Sequence, residues 1–129
     1  MPQSHKIIAT KTVSGEVHIF DYFKHGSTTT EEVKPDLRLL GHTREGYGLD
    51  WNPTQQGLLL SGSDDNRICL WDIGQPDQLS PTIDPLTSWD AHTQVVEDVC
   101  WNHHDLNEFA SVSDDKKLKI WDARSPNVG

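Results

Sequence analysis

Gly41-His42 … Trp51-Asn52 … Ser61-Gly62-Ser63-Asp64-Asp65 … Leu70-Trp71-Asp72 returns 50 residues later as Ala91-His92 … Trp101-Asn102 … Ser111-Val112-Ser113-Asp114-Asp115 … Ile120-Trp121-Asp122. A fixed period between about 20 and 50 residues marks a chain of stacked supersecondary units, and a His-headed unit that closes on Trp-Asp has the pattern of a propeller blade. One unit cannot bury its own apolar faces. Function is therefore to be sought on the surface that stacked units share.

Outward from these two units, short apolar or alternating runs are separated by turn residues, as in an all-β fold. Strands are expected at residues 7–12, 16–21, 36–40, 47–51, 58–61, 67–71, 83–89, 96–101, 109–112 and 117–121. Ser14-Gly15 and Asp64-Asp65-Asn66 are the hairpin turns, and Pro85 would confine its run to a sheet edge. No helix of useful length is expected. In this repeat the inner three strands come first and the outer strand follows the Trp-Asp pair. Residues 1–40 then hold the end of a degenerate blade, in which Thr10, Ser14 and Phe20 stand where the later units have Ser, Asp and Trp. Residues 41–90 form a complete blade and residues 91–129 most of a third. Residues 22–35 and 73–82 are polar connections that lengthen the period. The expected fold class is all-β, a partial propeller of about two and a half blades of antiparallel four-stranded sheets. At 129 residues the chain is too short for a closed ring, which needs at least four blades.

The chain carries 20 acidic and 11 basic residues, a formal net charge of −9. That balance argues against nucleic acid as a direct partner, because phosphate binding needs a basic face. It suits a basic peptide, although acidity also serves solubility alone. The two cysteines, Cys69 and Cys100, imply no disulfide framework and read as small apolar fillers of an intracellular protein. No apolar run approaches a membrane span and no signal-peptide pattern opens the chain. Cytosol or nucleus follows.

The recurring polar residues have an internal purpose. Trp71 and Trp121 carry an indole N–H that needs a partner once buried. Asp65 and Asp115 sit on the hairpin turn, and His42 and His92 can bridge them to Ser61 and Ser111. Each unit would thus hold a His–Ser–Asp–Trp hydrogen-bond chain, useful only when complete. The same residues resemble a catalytic triad, but the set occurs twice, is tied to a Trp, and lacks a nucleophile elbow. No catalytic residue is assigned. His103-His104 is no metal site, since adjacent side chains on an extended segment point apart. No metal or other cofactor is expected.

More specific strings are Ile7-Ile8-Ala9-Thr10-Lys11-Thr12, Pro35-Asp36-Leu37-Arg38-Leu39, Gly41-His42-Thr43-Arg44-Glu45-Gly46-Tyr47-Gly48-Leu49, residues 65–73, and Val95-Val96-Glu97-Asp98-Val99. Together they resemble the retinoblastoma-binding, histone-binding WD40 proteins, a family that includes the small subunit of chromatin assembly factor one. The likeness is weakest at residues 24–34 and 73–90. It implies a seven-bladed propeller with an amino-terminal helix, core histones as partners, and service in nuclear complexes for nucleosome assembly, histone deacetylation, polycomb methylation and remodelling. Against that pattern the present chain would be a part, without the helix, the first blade, the later blades or the acidic loop of the family's side site. The flat top face would survive. There the resemblance assigns Glu45, Tyr47 and Glu97 to holding Arg and Lys of a basic histone tail. Carboxylates at a partly dehydrated channel mouth attract cations, and a Tyr face adds a cation–π contact. Solvated turn residues are the plain alternative for both glutamates. The expected location is the nucleus, with the cytoplasm as a second compartment.

Trp121-Asp122-Ala123-Arg124 has the Trp-Asp-x-Arg form of WD40 substrate receptors for cullin ubiquitin ligases, and Arg124 would be the docking residue of that alternative. Open blade faces and unpaired strands at both ends would also let the isolated chain self-associate.

Overall fold

The computed structural model describes residues 1–24, 34–74 and 80–125. Among them the strands are β1 (Ile7–Lys11), β2 (Val17–Asp21), β3 (Leu37–Leu39), β4 (Leu49–Trp51), β5 (Leu58–Gly62), β6 (Arg67–Asp72), β7 (Thr82–Ile83), β8 (Thr87–Asp90), β9 (Val96–Trp101), β10 (Glu108–Ser113) and β11 (Leu118–Asp122). A single 3-10 turn, Tyr22–Lys24, is the helical element among the described residues. Of the expected connections at 22–35 and 73–82, residues 25–33 and 75–79 lie outside the description, while Tyr22–Lys24 forms the 3-10 turn and Thr82 opens β7.

The strands form three sheets, ordered β1-β2-β3-β7, β4-β5-β6-β8 and β11-β10-β9. Equal register makes them repeats of one unit. Ile8 faces Phe20 and Thr10 faces His18 in the first sheet. Leu59 faces Trp71 and Ser61 faces Cys69 in the second. Phe109 faces Trp121 and Ser111 faces Lys119 in the third. Thus β1, β5 and β10 are equivalent. The first sheet has no innermost strand beside β1 among the described residues, and the third has no outer strand beside β11. The architecture is a partial propeller, all-β as the repeat requires.

The hairpin turns repeat as well. Asn66 and Lys116 both take positive φ, 69° and 68°, at the last turn position before the returning strand. Asn tolerates that region and Lys does so only because the turn is fixed from both sides.

Alternating side chains divide each sheet into two faces. Val17, Ile19 and Leu39 of the first sheet meet Leu59, Cys69 and Trp71 of the second in one buried cluster. Leu60, Ile68 and Leu70, on the second sheet's other face, meet Val96, Val99, Trp101, Phe109 and Trp121 of the third. Trp89 packs edge-on to Phe109, with centroids 5.2 Å apart. Burial of this apolar surface, at about 25 cal/mol per Å², is the main force holding sheet to sheet.

One expected strand divides. Residues 83–89 do not run through as a single edge strand. Thr82–Ile83 joins the first sheet parallel to β3, and Thr87–Asp90 joins the second antiparallel to β6. Pro85 lies at the break, where its missing N–H and fixed φ end one ladder before the next begins. Its Cγ would sit 2.5 Å from a Cβ placed on Gly41, whose φ is +140°, so the opposing chain must be glycine there.

Candidate functional site

The second repeat holds a complete polar chain. Trp121 Nε1 lies 2.8 Å from Ser111 Oγ, Ser111 Oγ 2.7 Å from His92 Nε2, and His92 Nδ1 2.8 Å from Asp115 Oδ2. The indole can only donate and the carboxylate can only accept. Proton order is therefore Trp N–H to Ser, Ser O–H to His, His N–H to Asp. Asp115 also accepts the N–H groups of Thr93 and Lys117, locking the head of the repeat to its hairpin turn. Burial raises the Asp115 pKa, but the bonds from His92, Thr93 and Lys117 outweigh it and hold the carboxyl at about 2. With Ser111 1% exposed and its oxygen engaged twice, the hydroxyl cannot reach a substrate.

The first repeat departs from the expected tetrad. His42 Nδ1 lies 3.0 Å from Asp65 and its Nε2 3.0 Å from Ser61 Oγ, but Trp71 donates to the carbonyl of Leu40 at 2.9 Å. A carbonyl satisfies an indole as well as a hydroxyl does, and the end of β3 brings one within reach. The chain there has three members. Cys69, opposite Ser61, replaces the Lys119 of the second repeat, and burial pushes its thiol up to about 12.

These chains fix the segment that carries Glu45 and Tyr47. Ser63 Oγ donates toward the carbonyls of Arg44 and Glu45, at 2.7 and 2.8 Å, and Asp64 N donates to Glu45 O at 2.8 Å. The segment 44–48 is thereby pinned to the β5–β6 hairpin. A Cβ on Gly46 would lie 2.6 Å from the Gly62 carbonyl, and one on Gly48 3.0 Å from the Asp98 Cα. Tyr47 stands between these two close approaches and can only project outward, where it is 85% exposed.

The Gly48 approach sets the innermost strands β4 and β9 side by side. Asp50 extends that joint, accepting Trp101 N at 2.7 Å on its carboxylate and Trp101 Nε1 at 3.2 Å on its carbonyl. Glu97 rises from β9 near Asp98 and is exposed. Asp114 is the main cause of its raised pKa, with burial, a hydrogen bond to Asp114 and the charge of Asp64 adding to it. Asp64 thus bonds the Glu45 carbonyl through its N–H and adds its charge to that of Asp114 at Glu97.

The sequence alone does not single out Asp64 and Asp114 as carboxylates acting on Glu97. Their signal was the period itself, since each precedes the buried aspartate of its repeat and cannot face the same way. A groove opens beside Tyr47, lined in part by Lys11, Thr12, Val13, Glu45 and Gly46. Lys11 crosses from the first sheet to donate to the carbonyls of Gly48, at 3.2 Å, and Gly62. Burial lowers its pKa to about 8, against the pull of Asp65, Cys69 and Asp64.

Elsewhere, Arg124 is exposed but clamped. Its Nε and Nη2 donate to the two carboxylate oxygens of Asp122, at 3.0 and 2.7 Å. His103 and His104 are exposed, and the described residues include no group of three His, Cys, Asp or Glu side chains placed to hold a metal ion.

Comparison with known proteins places these features. A family model described as WD domain, G-beta repeat, matches residues 34–72 and 83–122. Among solved structures, the chain is similar to a chain of the "Crystal Structure of Mitotic Checkpoint Complex", with a TM-score of 0.71 at 23% sequence identity. The match covers 94% of this chain and 34% of that one, so the chain spans about a third of that neighbour's length. At this identity the likeness concerns the fold.

Proposed function

The chain belongs to the WD40 family of protein-interaction domains, and from that footing we propose that it is a non-catalytic histone-binding subunit of nuclear chromatin complexes, holding a basic histone tail on its acidic rim. The observation that carries this reading is the crowding of Glu97 by Asp114 and Asp64 beside an outward Tyr47. Like charges held together raise one another's free energy, and an arriving cation relieves the repulsion. A guanidinium can engage one carboxylate with two parallel bonds while its plane lies on the tyrosine ring. Glu45, Tyr47 and Glu97 are the residues assigned to the tail, with Asp64 and Asp114 setting the field. The sequence resemblance to histone-binding WD40 proteins supplies the partner class, and assembly, deacetylase, polycomb or remodelling complexes are the settings it suggests.

The test is a calorimetric titration of the chain with a basic histone-tail peptide, followed by the Glu45→Gln, Glu97→Gln double variant. Loss of affinity in the variant supports the proposal, and unchanged affinity sinks it. The ubiquitin-ligase receptor reading rests on Arg124 alone. The bidentate hold of Asp122 on its guanidinium, which an adaptor would have to break, makes it the weaker of the two.

A further inference from the structure

The joint between the first and second sheets carries an ammonium where its counterpart carries a glycine. Lys11 faces Val17 across β1 and β2 as Gly62 faces Ile68 across β5 and β6, so the two residues hold one place in the repeat. Gly46 stands one period of 50 residues before Val96. In the joint between second and third sheets the small residue, Gly62, receives the large one, since a Cβ there would lie 2.6 Å from Val96 Cγ1. In the earlier joint large and small are exchanged. The Lys11 side chain crosses Gly46, where a Cβ would lie 3.0 Å from its Nζ.

Packing alone needs no ammonium in such a place, because Val96 on Gly62 fills the later joint with methyl groups. Taking a charge out of water is unfavourable unless hydrogen bonds offset it. Here the acceptors are the Gly48 carbonyl, at 3.2 Å, and the Gly62 carbonyl. Gly48 O also accepts Gly62 N at 3.0 Å, so the ammonium reinforces the rung that ties the segment before β4 to the end of β5. Tyr47 lies between this clamp and the one in which Ser63 Oγ holds the Arg44 and Glu45 carbonyls. Among the described residues the next repeat keeps the hydroxyl clamp alone, Ser113 Oγ donating to Gln94 O at 3.2 Å.

We propose that Lys11 is a positioning residue for the tail site, its ammonium fixing from the neighbouring sheet the direction in which Tyr47 projects; this rests on the histone-tail reading of that site. Lys11 acts through the Gly48 carbonyl and not on the tail itself. Its charge is what strengthens the hold, because charge-assisted bonds to carbonyls are roughly twice as strong as neutral ones. Asp64 and Asp65 on the β5–β6 turn, Cys69 on β6 and Glu45 before β4 are the titratable groups around it. Asp65 is engaged by His42 and by Thr43 N, and Cys69 is held as the thiol. Burial lowers the Lys11 pKa to about 8 against their pull. The clamp is therefore closed at neutral pH and loosens as pH rises through about 8.

Amide NMR of the chain, with and without an acetylated basic peptide whose only cations are arginines, tests this. The peptide keeps its charge from about pH 7 to about pH 9. In the wild type the Gly46 and Gly48 N–H signals should move with a midpoint near pH 8. Peptide affinity should fall across the same window by about fivefold or more, the low end of coupling between two sites. Lys11→Met, similar in length but without charge or donor, should bind weakly at neutral pH and show neither change with pH. Indole N–H signals of Trp101 and Trp121 at wild-type positions show that this variant is folded, and the wild-type titration decides by itself if it is not. Gly46 and Gly48 signals that stay in place through pH 8, or a Lys11→Met variant that binds as well as the wild type or better, overturn the proposal. A wild type that takes up no peptide overturns the tail reading instead, and the two glycine signals still report whether Lys11 holds the segment.

Discussion

The indole N–H of Trp121 donates to Ser111 Oγ at 2.8 Å, whereas its counterpart Trp71 turns to the Leu40 carbonyl at 2.9 Å. Two repeats with the same polar letters therefore distribute their hydrogen bonds differently. Ser111 serves two partners. Ser61 serves His42, whose Nε2 also lies 3.2 Å from the Ser61 carbonyl.

Ser111→Ala should accordingly cost more than Ser61→Ala. The first strands both the indole of Trp121 and the imidazole of His92, a loss on the order of 1–3 kcal/mol, while the second strands His42 Nε2 alone and leaves the Trp71 indole on the Leu40 carbonyl. Urea denaturation of the two variants checks the order, and equal midpoints would contradict the distribution of bonds described.

Stability should fall in acid through Asp115. Its folded pKa of about 2 lies below the unfolded carboxyl value, so its contribution is complete above the unfolded value and is lost as pH falls toward 2. Urea midpoints recorded from neutral pH downward should drop over that window. Asp115→Asn should be less stable at neutral pH and show a shallower drop.

Binding of a basic tail should weaken as pH falls through the raised pKa of Glu97, because protonation removes the charge that attracts the cation. Glu97→Gln with Glu45→Gln should reduce affinity by about tenfold or more, one charge-assisted hydrogen bond being worth about 1.5–3 kcal/mol. The remaining binding should lose part of its salt dependence. Titrations at several pH values and ionic strengths read all three effects.

Gly62→Val should destabilise the joint between second and third sheets by about 1–3 kcal/mol, the usual cost of overpacking a well-filled interface. Gly62 lies where any Cβ would press on the Val96 side chain, while Val112, its equivalent, lies on the open face. The reverse change, Val112→Gly, should cost far less packing. Thermal melts of the pair compare them directly.

Much of this was legible in the sequence because the repeat writes its own register. The period placed Ser61 beside the strand that bears Trp71. Three things were not legible. The choice of Leu40 by Trp71 depends on where the end of β3 lies in space, which no local pattern encodes. The division at Pro85 was read only as an edge, because a proline announces a missing hydrogen bond but not a change of sheet. Asp64 and Asp114 were hidden by their neighbours, since two adjacent aspartates on a turn look alike until one is buried and the other is not. The bulge between Val112 and Ser113, which shifts the β9 pairing near Glu97, likewise leaves no signature in composition.

The split at Pro85 also sets how the molecule comes apart. Because one short stretch lends its first half to β3 and its second half to β6, the first two sheets are stitched by the same thread. Neither can peel away without unzipping a ladder in the other. The third sheet has no such clasp among the described residues and is held by side-chain packing and a few bonds such as that from Trp101 to Asp50. Slow amide exchange should then divide the chain into a larger unit that opens as one and a terminal hairpin set that breathes ahead of it.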